Sequence, residues 1–194
     1  MAFTLGFYSF NVNLNDPTRG VYASFRLKTP RHPLESLEHL YARALAYAHA
    51  FEEGLSFSQG LFEEKEPTIW KKAFDGSIEK WIQVGVPDKK KFERALKQNP
   101  FAHFSIYFYE PQDIDAFCWM LRGSKTNWVE NVSFFQIDSE LLKDLGGNES
   151  FNSDWDINLI DSSMYLTANG IDYLSEIESI DIWNAFQRAI QNSN

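Results

Sequence analysis

The sequence predicts an α/β domain in which helices flank a mixed β-sheet, with an N-terminal β-hairpin and extra C-terminal strands. Three observations predict it. Leu34, Leu37, Tyr41, Ala44, Leu45, Ala48 and Phe51 recur at helical spacing, the clearest periodicity in the chain. Apolar runs bounded by turn residues then follow in the order three strands, helix, strand. Alternating segments open the chain, and a strand-rich tail closes it. With 194 residues, 44% of them hydrophobic and 16% aromatic, one domain spanning residues 1–194 with a sizeable core is expected.

Residues 3–14 and 20–28 alternate apolar and polar and are joined by NDPTRG. Asp16-Pro17 and Gly20 are turn chemistry, so the two segments form a hairpin. Pro33 sits where a first helical turn tolerates proline, and the helix it opens runs to Gly54. LSFSQGL, TIWKKAF and SIEKWIQVGV, separated by EEKEP and DGS, read as three consecutive strands. Asp88 caps a basic helix that ends at Gln98, before Asn99-Pro100. HFSIYFY is apolar enough for a strand covered on both faces. A helix from Pro111 to Arg122, the strand NVSFFQI and a short helix near Leu141 come next. GGNES reads as a loop, and strands around Asp156–Ile160, Met164–Leu166 and Ile171–Leu174 complete the pattern.

Composition removes several function classes. No window holds 18 uncharged apolar residues, so no membrane-spanning helix is expected. The N-terminus, MAFTLGFYSF, has no basic region and enters strand-like alternation at once, so no secretory signal is expected. The single cysteine, Cys118, lies in the apolar run FCWML, which predicts a buried thiol and a cytoplasmic location. The net charge of -9 is unevenly spread. Residues 1–109 hold 14 Lys and Arg against 12 Asp and Glu, a net of +2; residues 110–194 hold 4 against 15, a net of -11. A nucleic acid would therefore have to meet the first half, and the second reads as a solvated acidic face.

The chain has no G-x-x-x-x-G-K-[ST], no G-x-G-x-x-G and no G-x-S-x-G. His32, His39, His49 and His103 do not stand at zinc spacing, and His39 and His49 read as surface or capping residues. Carboxylates of the first half remain. Glu35 and Glu38 open the long helix off its apolar stripe, Glu66 precedes Pro67 at a strand entrance, and Asp75 sits in an Asp-Gly turn. Each has an ordinary structural role, since acids suit a helix N-terminus and Asp-Gly makes turns. Their order says more. An acid on a helix, an acid-Pro pair at a strand, a further strand bearing a polar residue and then a basic helix is the layout of a magnesium-dependent phosphodiesterase core. In such a core a hard cation takes oxygen ligands and keeps water, one water becomes the nucleophile, and a lysine offsets phosphate charge.

RHPLESLEHLYARALAY, LSFSQGLFEEKEPTIW and WIQVGVPDKKKFERA, in that order behind the hairpin, resemble the YaeQ family of bacterial proteins. Arg31-His32-Pro33, Glu35, Glu38, Arg43, Gly60-Leu61, Glu66-Pro67, Trp70, Trp81, Gly85 and Pro87-Asp88 carry the resemblance, which runs from about Phe3 to Glu176. It implies a variant of the PD-(D/E)xK nuclease fold, and hence a restriction-endonuclease-like sheet. Trp81, Gln83 and Gly85 share one strand face, which in that superfamily carries the acid and the lysine. The family pattern has Glu at the Gln83 position and already has Gly in place of the lysine. Gly85 leaves a side-chain-sized space, into which Lys91 or Lys90 of the next helix would project. The implied catalytic residues are Glu66, Gln83 and Lys91; the implied ligands of Mg²⁺ or Mn²⁺ are Glu35, Glu38, Glu66 and Gln83. An amide oxygen is a weaker ligand for a hard cation than a carboxylate, so weak metal binding is expected.

The resemblance implies a degenerate metal-dependent nuclease acting on nucleic acid as the expected function. The alternative is a non-catalytic module that keeps the groove and binds nucleic acid or a protein. In both cases Lys89, Lys90, Lys91 and Arg94, joined by Lys71, Lys72 and Lys97, would contact phosphates. A third possibility is an interaction module using the acidic half or exposed aromatics such as Trp128 and Trp155.

Overall fold

The structure is a computed structural model and describes residues 6–58, 66–122 and 129–191. In chain order its elements are β1 (Gly6–Asp16), β2 (Val21–Arg31), α1 (Leu37–His49), β3 (Leu55–Phe57), β4 (Ile69–Lys72), β5 (Ile78–Val84), α2 (Lys89–Gln98), β6 (His103–Phe108), α3 (Asp113–Leu121), β7 (Val132–Ile137), α4 (Ser139–Gly147), β8 (Asn152–Ile160), β9 (Ser163–Ala168), β10 (Ile171–Ser179) and α5 (Ile182–Gln191). The fold is mixed α/β. The elements gather into two compact units, each built from two chain segments: unit 1 from Met1–Phe51 and Ile137–Glu178, unit 2 from Glu52–Gln136 and Ser179–Asn194.

In unit 1, β1 and β2 form the expected hairpin, antiparallel from Gly6↔Arg31 to Asp16↔Val21. On its other side β1 pairs in parallel with β8, and β8, β9 and β10 continue as an antiparallel meander. Alternation on β1 buries Tyr8, Phe10, Val12 and Leu14 and leaves Asn11, Asn13 and Asn15 in solvent. The Phe10 ring lies 4.6 Å from Trp155 and 6.0 Å from Tyr41 of α1, an aromatic centre for this unit. Pro33 does not open α1, contrary to expectation. Ser36 is the N-cap, and its hydroxyl accepts the His39 N–H at 3.1 Å. A serine hydroxyl satisfies one of the unpaired N–H groups of a first turn, which a proline at the same place cannot do. GGNES is not all loop either, because α4 runs through Gly147. A Cβ on Gly146 would stand 3.6 Å from the Leu37 Cβ, so the glycine permits close packing of α4 on α1.

In unit 2, β3, β4 and β5 form an antiparallel meander, and β5, β6 and β7 pair in parallel. Parallel neighbours need crossovers, and α2 and α3 supply them. Trp81, Phe92, Phe104, Phe108, Phe117 and Phe134 dominate the core. Cys118 is buried there as expected, and desolvation pushes its thiol up to about 11. The unexpected element is α5, whose Ile182, Trp183, Phe186 and Ala189 recur at helical spacing and pack on this core. No described helix is long and apolar enough to cross a membrane.

Candidate functional site

The strand-to-helix segment between β5 and α2 lies wholly in unit 2. β5 stops at Val84, and Gly85 turns the chain with φ +79°, a left-handed conformation that favours glycine. Its N–H donates to the Tyr107 carbonyl at 2.8 Å. A Cβ at Gly85 would meet the Tyr109 ring at 3.2 Å, so a tyrosine borders the space expected to receive a lysine. Asp88 then caps α2 as expected, its carboxylate accepting the Lys91 N–H at 2.9 Å.

α2 has two faces. Phe92 and Ala95 are buried, and the Phe92 ring packs edge-on against Phe104 at 5.7 Å. On the other side Lys90, Lys91, Arg94 and Gln98, one helical turn after another, line a cavity of about 740 Å³. Trp81 forms part of its wall, and the indole N–H is buried without an acceptor among the described residues. Such an orphan costs roughly 1–3 kcal/mol, and with almost no accessible surface on the nitrogen it is a packing cost of this wall rather than a donor offered to the cavity.

Several lysines of the first half already have partners. Lys71 lies 2.8 Å from Glu52 and 3.1 Å from Glu79, and Lys80 also pairs with Glu52. The Lys72 ammonium sits 3.4 Å from the centre of the Trp70 ring. Lys89 donates to the Met120 carbonyl at 3.1 Å and so supports the end of α3. Lys90 and Arg94 are exposed and make no ion pair among the described residues. Three lysines occupy the first turn of α2, which contains no acid. Positive charge there opposes the helix dipole by roughly a few tenths of a kcal/mol per lysine, and a bound anion would reverse that sign.

The carboxylates expected to hold a metal are divided between the units: Glu35 and Glu38 belong to unit 1, and Glu66 and Gln83 to unit 2. Glu35 is 6% exposed. Its Oε1 accepts from Arg43 Nε at 2.8 Å and meets His39 Nδ1 at 2.6 Å; its Oε2 accepts from Arg43 Nη2 at 3.0 Å and from the His32 N–H at 3.3 Å. Arg43 also donates to Thr29 Oγ1 at 2.8 Å and to the Pro30 carbonyl at 3.1 Å. Burial raises the Glu35 pKa, but the His39 hydrogen bond and the Arg43 guanidinium outweigh it and hold the carboxyl below its ordinary 4.5. The pair therefore ties the end of β2 to α1. Sequence reasoning missed this partnership, although an arginine inside the buried run ARALAYA was the available signal.

Glu38 is half-buried beside α4, its Oε1 3.9 Å from where a Gly146 Cβ would stand. Glu66 is half-buried just ahead of β4. Gln83 is half-buried on β5, and its Nε2 donates to the Val84 carbonyl at 3.0 Å. Among the described residues no three His, Cys, Asp or Glu side chains gather closely enough to hold a metal ion. Three further expectations are corrected. Trp155 is 1% exposed, because it is the inward residue between Asp154 and Asp156 on β8. His49 is half-buried and pushed down to about 4, chiefly by desolvation. His39 is half-buried against Glu35. Gly60, Leu61 and Trp128 lie outside the described residues.

A family model described as YaeQ protein matches residues 1–177. The YaeQ protein of Escherichia coli strain K12 is 30% identical over 142 residues, covering 73% of this chain and 77% of the relative. That of Salmonella typhi is 29% identical over 145 residues, covering 75% and 78%. The crystal structure of YaeQ protein from Pseudomonas syringae superposes with a TM-score of 0.78 at 26% identity, covering 91% of this chain and 96% of that one. The Xanthomonas axonopodis pv. citri structure gives 0.80 at 23% identity, covering 91% and 98%, a likeness of fold alone.

Proposed function

The chain belongs to the YaeQ family, and we propose that it binds nucleic acid through the sugar–phosphate backbone, at the basic face of α2, without cutting it. The observation that carries this reading is the cavity of about 740 Å³ lined by Lys90, Lys91 and Arg94. Cations in that position exchange condensed counterions for protein contacts, which is the main source of sequence-independent affinity. The helix start adds its dipole. The protein retains, in this reading, the restriction-endonuclease-like architecture implied by the resemblance and loses its metal chemistry.

The residues present do not suit Mg²⁺ or Mn²⁺. Both oxygens of Glu35 are occupied by cationic or N–H donors, and withdrawing them would leave Arg43 buried and unpaired. Gln83 brings no charge where a hard cation needs it. We therefore assign Gln83, Glu66 and Lys91 no catalytic step.

The double variant Lys90→Ala/Arg94→Ala, compared with wild type by fluorescence polarisation on labelled oligonucleotides, is expected to bind about 10- to 100-fold more weakly regardless of base sequence. Its log–log salt slope should shrink by about 1.4 on single strands or 1.8 on duplexes, two phosphate contacts' worth. Equal affinities and slopes would remove the proposal. Calorimetric titration with Mg²⁺ and with Mn²⁺ is expected to show no specific site in wild type or in Gln83→Glu. A site created by Gln83→Glu would instead identify a decayed metal centre.

A further inference from the structure

Unit 1 contains a smaller pocket, of about 320 Å³, that plays no part in the reading above. Its floor is apolar and aromatic, formed by Tyr41, Trp155 and Leu145. Tyr41 and Trp155 stack with centroids 6.2 Å apart, and half-buried Tyr173 adds a third ring. Exposed Glu149, Asn148 and Asn169 form the rim.

The rim is held in place by local chemistry. Asn169-Gly170 is the turn between β9 and β10, with φ +51° and +80°, the arrangement in which Asn-Gly closes a two-residue hairpin. Asn169 Oδ1 accepts the Asp154 N–H at 2.9 Å. Asn148 Nδ2 donates to the Asp144 carbonyl at 2.9 Å and to the Tyr173 hydroxyl at 3.4 Å. The Tyr8 hydroxyl donates to Glu149 Oε1, and burial together with that carboxylate pushes the phenol up to about 12. Glu149 Oε2 accepts no hydrogen bond from the described residues. The nearby Arg31 guanidinium acts on the Tyr8 phenol in the opposite direction and offsets part of the local charge. The surrounding chain is strongly negative: residues 137–178 contain ten Asp and Glu and one basic residue, Lys143.

We infer that this pocket binds a compact organic cation, an alkylammonium or a guanidinium on a short apolar stem, with the head at Glu149 and the stem against Tyr173 and Ile171. Three features select it. A carboxylate at the rim selects positive charge, and the acidic surroundings repel anions. The half-buried Tyr173 ring and the exposed Ile171 side chain offer contact to a cation and its apolar stem, above the fully buried Tyr41 and Trp155. A volume of about 320 Å³, near the bottom of the range of roughly 300–1,000 Å³ for ligand sites, suits a compact ligand.

Agmatine, which has both head groups on a four-carbon stem, is the probe for a free amine. The capped tripeptide acetyl-Ala-Arg-Ala-amide is the probe for a side chain of a basic polypeptide, and butanamide is a neutral control. Titration of the full chain by NMR is expected to show saturable shifts at residues of the pocket with agmatine or the tripeptide, and none with butanamide. Glu149 is exposed, so Glu149→Gln should fold normally and bind at least about tenfold more weakly, a loss of about 1.4 kcal/mol. Tyr173→Ala, a second variant outside the core, should weaken binding as well. Saturation by agmatine alone identifies a free amine, and by the tripeptide a protein-borne one. Absence of saturation up to about 10 mM with both cations, equal binding of butanamide, or unchanged affinity in Glu149→Gln would each overturn the inference.

Discussion

Arg43→Ala is expected to destabilise unit 1 by about 3–5 kcal/mol, because it leaves the Glu35 carboxylate buried without its cation. For a chain of this length that corresponds to a fall in Tm of roughly 6–20 °C. The arginine is 3% exposed and spans three anchors: Glu35, Thr29 Oγ1 and the Pro30 carbonyl. Its own pKa is lowered by desolvation, with Glu35 acting in the opposite direction, so burial and pairing are closely opposed. The double variant Glu35→Leu/Arg43→Met should therefore recover most of the loss, since an apolar pair of similar volume avoids both desolvation costs. A single-variant cost below about 1 kcal/mol by urea unfolding would show that the pair is not sealed from water. The pH dependence has a definite sign. The folded pKa of Glu35 lies below 4.5, so its contribution is complete above that value and disappears as pH falls through the lower folded value. In Arg43→Ala that acid-sensitive part should be absent.

A second and separable acid effect is expected at His49. Burial first, and the nearby Arg19 charge second, push this imidazole from 6.5 to about 4, while Asp16 acts in the opposite direction. Between those values the unfolded chain takes up a proton that the folded chain refuses, so stability falls as pH drops below about 6.5 and levels off near about 4. A shift of that size corresponds to about 3 kcal/mol at its full extent. His49→Asn, which cannot protonate, should show a flatter stability profile across this window when unfolding is measured by urea at a series of pH values. Parallel profiles for wild type and variant would mean that the imidazole is solvated in the fold. The two windows differ: His49 acts from about 6.5 downward, and Glu35 only below 4.5.

Much of the architecture could be read from local signals. The Pro87-Asp88 break, the Asp88 cap and the Asn99-Pro100 stop delimit α2 within a residue of its observed ends, because capping and proline chemistry act over three or four residues. The start of α1 differs from the one Pro33 suggests for the same kind of reason: the Ser36 hydroxyl, three residues on, makes the cap. α5 was overlooked although Ile182, Trp183, Phe186 and Ala189 carry the helical period. Trp155 was expected outside, yet its place between Asp154 and Asp156 on an alternating strand already indicated the inner face.

By itself the sequence determined most of the strands and helices, though not α5, as well as membership of the YaeQ family and the basic character of α2. All three depend on residues near one another in the chain. Tertiary structure alone decided that β1 pairs with β8, which brings Asn11 against Asp154 across 143 residues. It also decided which charges are already committed: Glu35 to Arg43, Lys71 to Glu52 and Glu79, and Lys89 to the end of α3, whereas Lys90 and Arg94 face the cavity. Charged side chains of one type are alike in a sequence. Burial and the partners brought near by distant chain segments make them different, since desolvation and pairing set the free energy of each ion.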